Sequence, residues 1–427
     1  MITQAKNSEQ KQLDKLEVSE IPENQLSLQL ASLNNELTFD GHNLKIAEIA
    51  APWFSVPPRD YGGTEAVISN LTEELVKQGH NVTLFASGDS QTSGELKSYI
   101  ETSLSMQKIP WNNYLEAEYH MINSFREIAH NPHKYDVIHT HLSSASDLII
   151  FKLASQIPVP HICTIHSNFP FDRRENHLGD GDKYYFNWAK DTPLIAISNR
   201  AKENMMLDSQ LPLSLIGVIP HGLSDSQFIQ GEILPSKNLV WIGRIVREKG
   251  TKYAIEAAIK AKRKIIIAGI IDTYLPDHTN YFYQEVLPLI EENPDYAEYI
   301  GPVSTEEKLE LLKSSYCFLN PIQWEEPFGL VMIEAMACGC PVISFNRGAA
   351  KELIKPGLNG DFAASLDEMA AKIELVGDNI DREQMVRDTW NNYSVKTMAK
   401  RYVMKYKEVI NSYKKLGYPQ SIHANSP

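Results

Sequence analysis

From Lys45 onward, short apolar runs rich in β-branched residues alternate with stretches whose apolar positions recur every three to four residues. That alternation is the pattern of a parallel sheet wrapped by helices. In the first half it predicts strands at Lys45–Ala51, Asn81–Ala86, Asp136–His141, His161–Ser167, Leu194–Ser198 and Ile216–Pro220. Between the first two, Glu65–Gln78 places Ala66, Ile68, Leu71, Leu75 and Val76 at helical spacing, and Gly79 is a fitting stop. A second series predicts strands at Leu239–Arg244, Lys264–Gly269, Tyr296–Pro302, Cys317–Pro321 and Pro341–Phe345, with helices near 251–262, 280–292, 304–315 and 329–338. Residues 223–236 lack either period and contain Gly231 and Pro235, as a linker does. The segment 381–416 is helical, with a break near Asn391–Asn392–Tyr393. The expected fold class is α/β: two doubly wound, Rossmann-like parallel-sheet domains, 41–222 and 237–390, facing a central cleft. Ligands then belong at the carboxyl ends of the strands.

Charge narrows the partners. The 427 residues carry 41 Lys and Arg against 54 Asp and Glu, a net charge of −13, which argues against nucleic acid. The longest near-continuous apolar run, Ile265–Ile271, has seven residues, against roughly 20 for a membrane-spanning helix. No transmembrane segment is expected. Peripheral membrane contact stays open, although no basic patch argues for it. The first residues, MITQAKNSEQ, have neither the basic nor the apolar region of a secretion signal, and four scattered cysteines make no disulfide framework. Both point to a cytoplasmic protein. Residues 1–40, with three Lys, seven acids and a single aromatic, read as a mobile extension with too little apolar surface for a core.

The chemistry concentrates around Trp324-Glu325-Glu326-Pro327-Phe328-Gly329-Leu330-Val331-Met332-Ile333-Glu334. Here a strand leads into an acidic loop and then into a helix whose first turn, Gly329-Leu330-Val331, offers free N–H groups to a phosphate. Glu326 in the loop and Glu334 on the helix could meet different parts of one extended ligand, and carboxylates are good acceptors for sugar hydroxyls. Two unrelated Glu at this spacing would otherwise be a loop charge and a helix-face charge. Arg244 and Lys249 follow a strand end and precede a helix, a position from which two cations can clamp a diphosphate; ordinary surface charge is the plainer alternative. Gly62 and Gly63 would let backbone N–H groups approach a phosphate, and Thr64 could cap the helix that follows, although a Gly-Gly turn by itself is more often a simple chain reversal. His139 and His141, two apart on a strand ending at the cleft, can share a face; a zinc site would want further ligands, and none is evident nearby. Asp180-Gly181-Asp182 follows a polar stretch rather than an apolar strand and reads as a loop, and Cys338-Gly339-Cys340 is too tight for a Cys-x-x-Cys pair. In the excursions 88–118 and 168–190, Trp111, Phe169, Phe171, Tyr184, Tyr185 and Trp188 could stack on a sugar or simply pack locally.

Glu326-x7-Glu334 followed by Ala-Met-Ala-Cys-Gly-Cys-Pro-Val resembles the donor motif of the retaining family 4 glycosyltransferases, which have the GT-B fold. The resemblance extends to Gly243-Arg244…Lys249-Gly250, Tyr61-Gly62-Gly63-Thr64-Glu65, His139-Thr140-His141, Ile219-Pro220-His221-Gly222 and Asn391-Asn392-Tyr393-Ser394, in order from about residue 45 to 415. It implies transfer of a sugar from a nucleoside-diphosphate sugar to the hydroxyl of a small-molecule or glycan acceptor, with retention of configuration. Arg244, Lys249 and the amides of Phe328, Gly329 and Leu330 would hold the leaving diphosphate, so neither metal nor cofactor is expected. Glu326 would hold sugar hydroxyls, Glu334 the ribose diol, and His141 the sugar near its reactive face, with the Gly62–Gly63–Thr64 loop closing over the donor. The resemblance also has residues 391–427 cross back to the N-terminal domain. An epimerase of the same shape and a catalytically silent nucleotide-sugar binder are the alternatives; donor base, sugar, acceptor, linkage and oligomeric state are not legible.

Overall fold

The computed structural model describes residues 43–59, 62–110, 113–169, 188–208, 213–228, 235–273 and 276–415. Two all-parallel sheets carry it. The first orders seven strands β3-β2-β1-β4-β5-β6-β7: Lys45–Ile49 (β1), Asn81–Phe85 (β2), Glu95–Lys97 (β3), Val137–Leu142 (β4), His161–Ile165 (β5), Leu194–Ala196 (β6) and Leu215–Val218 (β7). The second orders six strands β10-β9-β8-β11-β12-β13: Leu239–Ile242 (β8), Ile265–Ala268 (β9), Ala297–Gly301 (β10), Phe318–Asn320 (β11), Val342–Phe345 (β12) and Gly360–Ala363 (β13). All eleven strand expectations correspond to strands here, nine of them one to two residues shorter at an end, while Val137–Leu142 is shifted by one residue and Leu215–Val218 starts one residue earlier. Central parallel strands are covered on both faces, which is why they read as nearly unbroken apolar runs.

Each sheet begins at its centre, winds to one edge and then reverses, so the switch points lie between β1 and β4 and between β8 and β11. Crevices open at such points, beyond the carboxyl ends of the strands. The helix Gly63–Lys77 (α1) follows β1 and buries Val67, Ile68, Leu71 and Leu75. It ends in a Schellman motif: the N–H of His80 donates to the Leu75 carbonyl at 3.0 Å, that of Gly79 to Val76 at 2.9 Å, and Gly79 has φ 91°. The N-cap of α1 is Gly62, with Thr64 already inside the first turn, so Thr64 does not cap the helix as expected.

The helix Leu115–His130 (α2) covers the other face of the first sheet through Ala117, Met121, Phe125 and Ile128. Near the chain's end, Arg382–Tyr393 (α6) and Val395–Lys415 (α7) meet at Ser394. Met398, Tyr402, Tyr406 and Val409 of α7 pack with Leu44, Ile46, Leu71 and Ile195 of the first sheet and its helix. Among the described residues no helix is long and apolar enough to cross a membrane.

Candidate functional site

The loop after β8 runs from Gly243 through a short 3-10 turn at Arg247–Lys249 into the helix Thr251–Lys260 (α3). Gly250 makes that entry with φ 74°, and a Cβ there would lie 2.1 Å from the carbonyl oxygen of Pro321, at the end of β11. Only glycine fits both demands. Gly250→Ala is therefore expected to cost about 2 kcal/mol or more, read as a lowered urea midpoint; an unchanged midpoint would mean that the two loops can part without penalty.

The close approach lays Lys249 against the loop after β11. Its ammonium pairs with Glu326, which also accepts a hydrogen bond from Trp324 Nε1 at 2.9 Å, and it stands 5.3 Å from the Trp324 ring centre. Arg244 turns elsewhere: Nη1 donates to Asp272 at 3.1 Å, and Asp272 also meets His278 Nδ1 at 2.8 Å. Arg244 Nε is buried with no hydrogen-bond partner among the described residues. Gly329, with φ 92°, is the N-cap of the helix Leu330–Ala337 (α5), and no side chain caps its free N–H groups. Gly348 holds the acidic loop from behind, since a Cβ there would come within 2.3 Å of the Glu326 nitrogen.

Glu334 is the charged residue of an otherwise apolar helix, and only 1% of it is exposed. One oxygen accepts from Lys308 Nζ at 2.6 Å and from Gln227 Nε2 at 3.2 Å. The other is buried with no partner among the described residues. Lys308 comes from the helix Thr305–Lys313 (α4) and Gln227 from the segment after β7. An unpaired buried carboxylate oxygen is costly unless a ligand donates to it, and two adjacent hydroxyls would do so.

On the opposing sheet, Glu48 of β1 is wholly buried beside His139 and His141 of β4. His141 Nε2 meets Glu48 at 2.7 Å, His139 Nδ1 meets it at 3.2 Å, and Tyr406 donates to it at 3.0 Å. Burial alone would push the Glu48 carboxyl up, but the charge and hydrogen bonds of His139 and the hydrogen bond of His141 outweigh it and hold the group well below the usual carboxylate range. The two histidines share a face, with ring centres 4.1 Å apart. The expectation that no third ligand type lies near them is corrected, since Glu48 supplies one from the neighbouring strand. Both histidines are hydrogen-bonded directly to Glu48, at 3.2 and 2.7 Å, closer than the roughly 3.3 Å separation that four ligands at about 2.0–2.1 Å from zinc would require.

His141 Nδ1 is engaged too, 2.9 Å from His166 Nε2, so neither ring nitrogen of His141 is free for a sugar. His166 Nδ1 lies 3.1 Å from His221 Nε2, and the His221 ring centre is 4.6 Å from that of Phe328, just ahead of the α5 N-terminus. The two lobes also touch through Asn168 Nδ2 to the Glu325 carbonyl, 2.8 Å, and Ser198 Oγ to that of Pro327, 2.6 Å. Leu330 packs against the apolar cores of both.

Of the sequence candidates, Lys249, Glu326, Phe328, Gly329, Leu330 and Glu334 therefore gather on one edge of the second sheet, and His141 reaches them through two further histidines. Gly62 and Gly63 stand at the start of α1; a Cβ on Gly63 would meet nothing within 4 Å, so its face is open. Phe169 is fully buried against Phe151, with ring centres 6.3 Å apart, and is packing rather than a platform. Tyr61, Trp111, Phe171, Asp180-Gly181-Asp182, Tyr184 and Tyr185 lie outside the described residues, as do residues 1–40 and 229–234 of the expected linker. All four cysteines are buried thiols. The sequence reading gave no role to Glu48, His166, His221, Gln227, Asp272 or Lys308. Glu48 had a local signal, a charge inside an apolar central strand, and His221 stood within the Ile219-Pro220-His221-Gly222 motif; the others had none.

The family model described as Glycosyltransferase Family 4 matches residues 61–227, and that described as Glycosyl transferases group 1 matches residues 225–390. An uncharacterized glycosyltransferase of Methanocaldococcus jannaschii is 26% identical over 84% of this chain and 98% of its own length. The gpi3 subunit of phosphatidylinositol N-acetylglucosaminyltransferase from Schizosaccharomyces pombe is 24% identical over 74% of this chain and 70% of its own length. Among solved structures, sucrose-phosphate synthase from Thermosynechococcus elongatus superposes with a TM-score of 0.69 at 20% identity, over 86% of this chain and 99% of that one. Anabaena Alr3699/HepE, in complex with UDP and glucose, does so with a TM-score of 0.64 at 18% identity, over 86% and 100%. These neighbours share the two-lobed GT-B fold with this chain, and the two family models together take in both lobes. The protein is a glycosyltransferase and belongs to the group 1 glycosyl transferases, with a family 4 N-terminal domain.

Proposed function

We propose that the cleft binds a nucleoside-diphosphate sugar and passes the sugar, with retention of configuration and without a metal, to an acceptor hydroxyl. The observation that carries this reading is the edge of the second sheet, where one cation, one uncapped helix N-terminus and one buried carboxylate with an unpaired oxygen are arrayed in sequence. Lys249 and the Phe328–Leu330 amides suit the diphosphate, with Arg244 available if its contact to Asp272 opens. Glu334 suits the ribose diol and Glu326 the sugar hydroxyls. His141 has an orienting role at the sugar's reactive end, exercised through its neighbours because both ring nitrogens are taken. The bond from the anomeric carbon to the phosphate oxygen breaks, the acceptor oxygen bonds to that carbon on the same face, and its proton leaves on the departing phosphate. Positive groups aimed at the leaving oxygen stabilise the charge that develops there. In this reading the first lobe, with the Gly62–Gly63–Thr64 loop, holds the acceptor and closes over the donor, and the protein works in the cytoplasm. The UDP and glucose held by Anabaena Alr3699/HepE are the kind of ligand the cleft would take.

A thermal-shift panel of UDP, GDP, ADP and dTDP with EDTA present tests it. One nucleotide at about 100 times its dissociation constant adds about 2.7 kcal/mol, and the shift should largely vanish in Glu334→Gln. A flat panel that stays flat with UDP-glucose, GDP-mannose and ADP-glucose would overturn the nucleotide-sugar reading. A shift that EDTA abolishes would overturn metal independence. Formation of a glycosidic product, rather than an epimerised donor, separates transfer from the related chemistries.

A further inference from the structure

Four buried side chains from four segments at one end of the first sheet form a single file. Glu48 (β1), His141 (β4), His166 (just past β5) and His221 (just past β7) are linked by contacts of 2.7, 2.9 and 3.1 Å. The file has a direction. A carboxylate only accepts, so Glu48 takes the hydrogen of His141 Nε2. Burial, with the charge of His139, holds the His141 imidazole down to about 4, so it is neutral and its Nδ1 is a bare lone pair. That lone pair must accept from His166 Nε2–H, which leaves His166 Nδ1 to accept from His221 Nε2–H. The last atom, His221 Nδ1, then carries a lone pair and no hydrogen.

This atom is buried and has no hydrogen-bond partner among the described residues, in a residue only 7% exposed. We propose that His221 Nδ1 is the hydrogen-bond acceptor for a hydroxyl of the transferred sugar, fixed in that role by the file running back to Glu48. The inference rests on the nucleotide-sugar reading of the cleft. A lone pair repels phosphate oxygens and welcomes an O–H, so the atom is suited to the sugar rather than the diphosphate. Its place fits as well: the His221 ring lies against Phe328, one residue ahead of the N-cap at which the diphosphate would sit, and the sugar is the donor's next group. His141, His166 and Glu48 are positioning residues in this arrangement, acting on the sugar through His221.

Two measurements test it. In histidine-labelled protein at pH 7.5, long-range nitrogen–proton correlation spectra should show His221, assigned by its loss in His221→Gln, as the Nε2–H tautomer; a protonated Nδ1 overturns the proposal. In binding, each nucleoside diphosphate is paired with its sugar: UDP with UDP-glucose, GDP with GDP-mannose, ADP with ADP-glucose. For the pair that the wild type binds, His221→Phe should weaken the nucleotide sugar about tenfold, the effect of one lost hydrogen bond. The nucleoside diphosphate should still bind as before, which also shows that the variant folds. His221→Asn, which keeps an acceptor, should recover part of the loss. Equal weakening of both ligands, or of neither, overturns the proposal. Failure of the wild type to bind any of the six overturns the nucleotide-sugar reading itself and this inference with it.

Discussion

Replacing Lys249 with Gln should lower the rate of sugar transfer by about two to three orders of magnitude, the usual consequence of removing one preorganised group from a developing negative charge. Before the donor arrives, Glu326 neutralises Lys249, and Trp324 lies alongside. A sugar hydroxyl donating to Glu326 and a phosphate oxygen meeting Lys249 would replace that internal pair with two ligand contacts, so the pair is a charged pocket held ready. On the proposed reaction, charge on the phosphate oxygen would grow as its bond to the anomeric carbon breaks, and the loss should therefore appear in kcat more than in KM. Folding should be retained, because the Lys249 side chain is 24% exposed and its removal leaves Glu326 the Trp324 hydrogen bond. The check is kcat and KM for donor turnover, with a urea midpoint as the control. A loss below tenfold, or one confined to KM, would take Lys249 away from the leaving group. Arg244→Gln makes the informative comparison: its guanidinium is bound to Asp272, so its removal should cost less unless donor binding frees it.

Why some of this was legible in the sequence and some was not follows from where each signal resides. Central strands such as Ile265–Ala268 announce themselves because both faces are covered. The two strands that the periodicity missed, Glu95–Lys97 and Gly360–Ala363, are edge strands of three and four residues with charged positions, too short and too polar to register. The stop at Gly79 was readable because a Schellman turn demands a positive φ, whereas the start of α1 was not, since glycine at the N-cap leaves no side chain to recognise. Lys249, Glu326 and the α5 N-terminus could be singled out because each belongs to a contiguous motif. Their supports were not: Gln227 lies 107 positions from Glu334, and Glu48 lies 93 from His141. Such pairings are decided by which strands become neighbours, and strand order is the part of a doubly wound fold that local pattern does not state. The isolated reading of His141 as a sugar contact failed to see its two occupied nitrogens for the same reason.

Those buried histidines should make the protein fail steeply in mild acid. His120 and His141 are pushed down to about 4, His161 and His221 to about 3, and His166 well below its ordinary 6.5, by burial above all and, except at His120, by neighbouring imidazoles. Between pH 6.5 and about 4.5 the unfolded chain binds a proton at each of these five and the folded chain does not, so stability falls as pH falls, by about 1.4 kcal/mol per pH unit for each. Two carboxyls oppose this. Burial, partly offset by a backbone hydrogen bond, and the Asp147 charge raise Glu65 to about 7, so the folded state holds that proton where the unfolded state has released it, and burial shifts Asp147 in the same direction. Five imidazoles against the one Glu65 proton leave a net of about four protons, or up to about 5.5 kcal/mol per pH unit, against a typical total stability of about 5–15 kcal/mol. Glu48 acts lower down: its depressed pKa contributes stability above the unfolded value of about 4.5 that is lost below it. Urea midpoints measured from pH 7.5 to 5.5 should decline with accelerating slope below 6.5, and unfolding without denaturant should occur near pH 5. Glu65→Gln, by removing one opposing proton, should steepen the decline. A profile that stays flat to pH 5 would mean that these imidazoles reach water in the folded protein, and the file from Glu48 to His221 would then lack the dry surroundings that give it its direction.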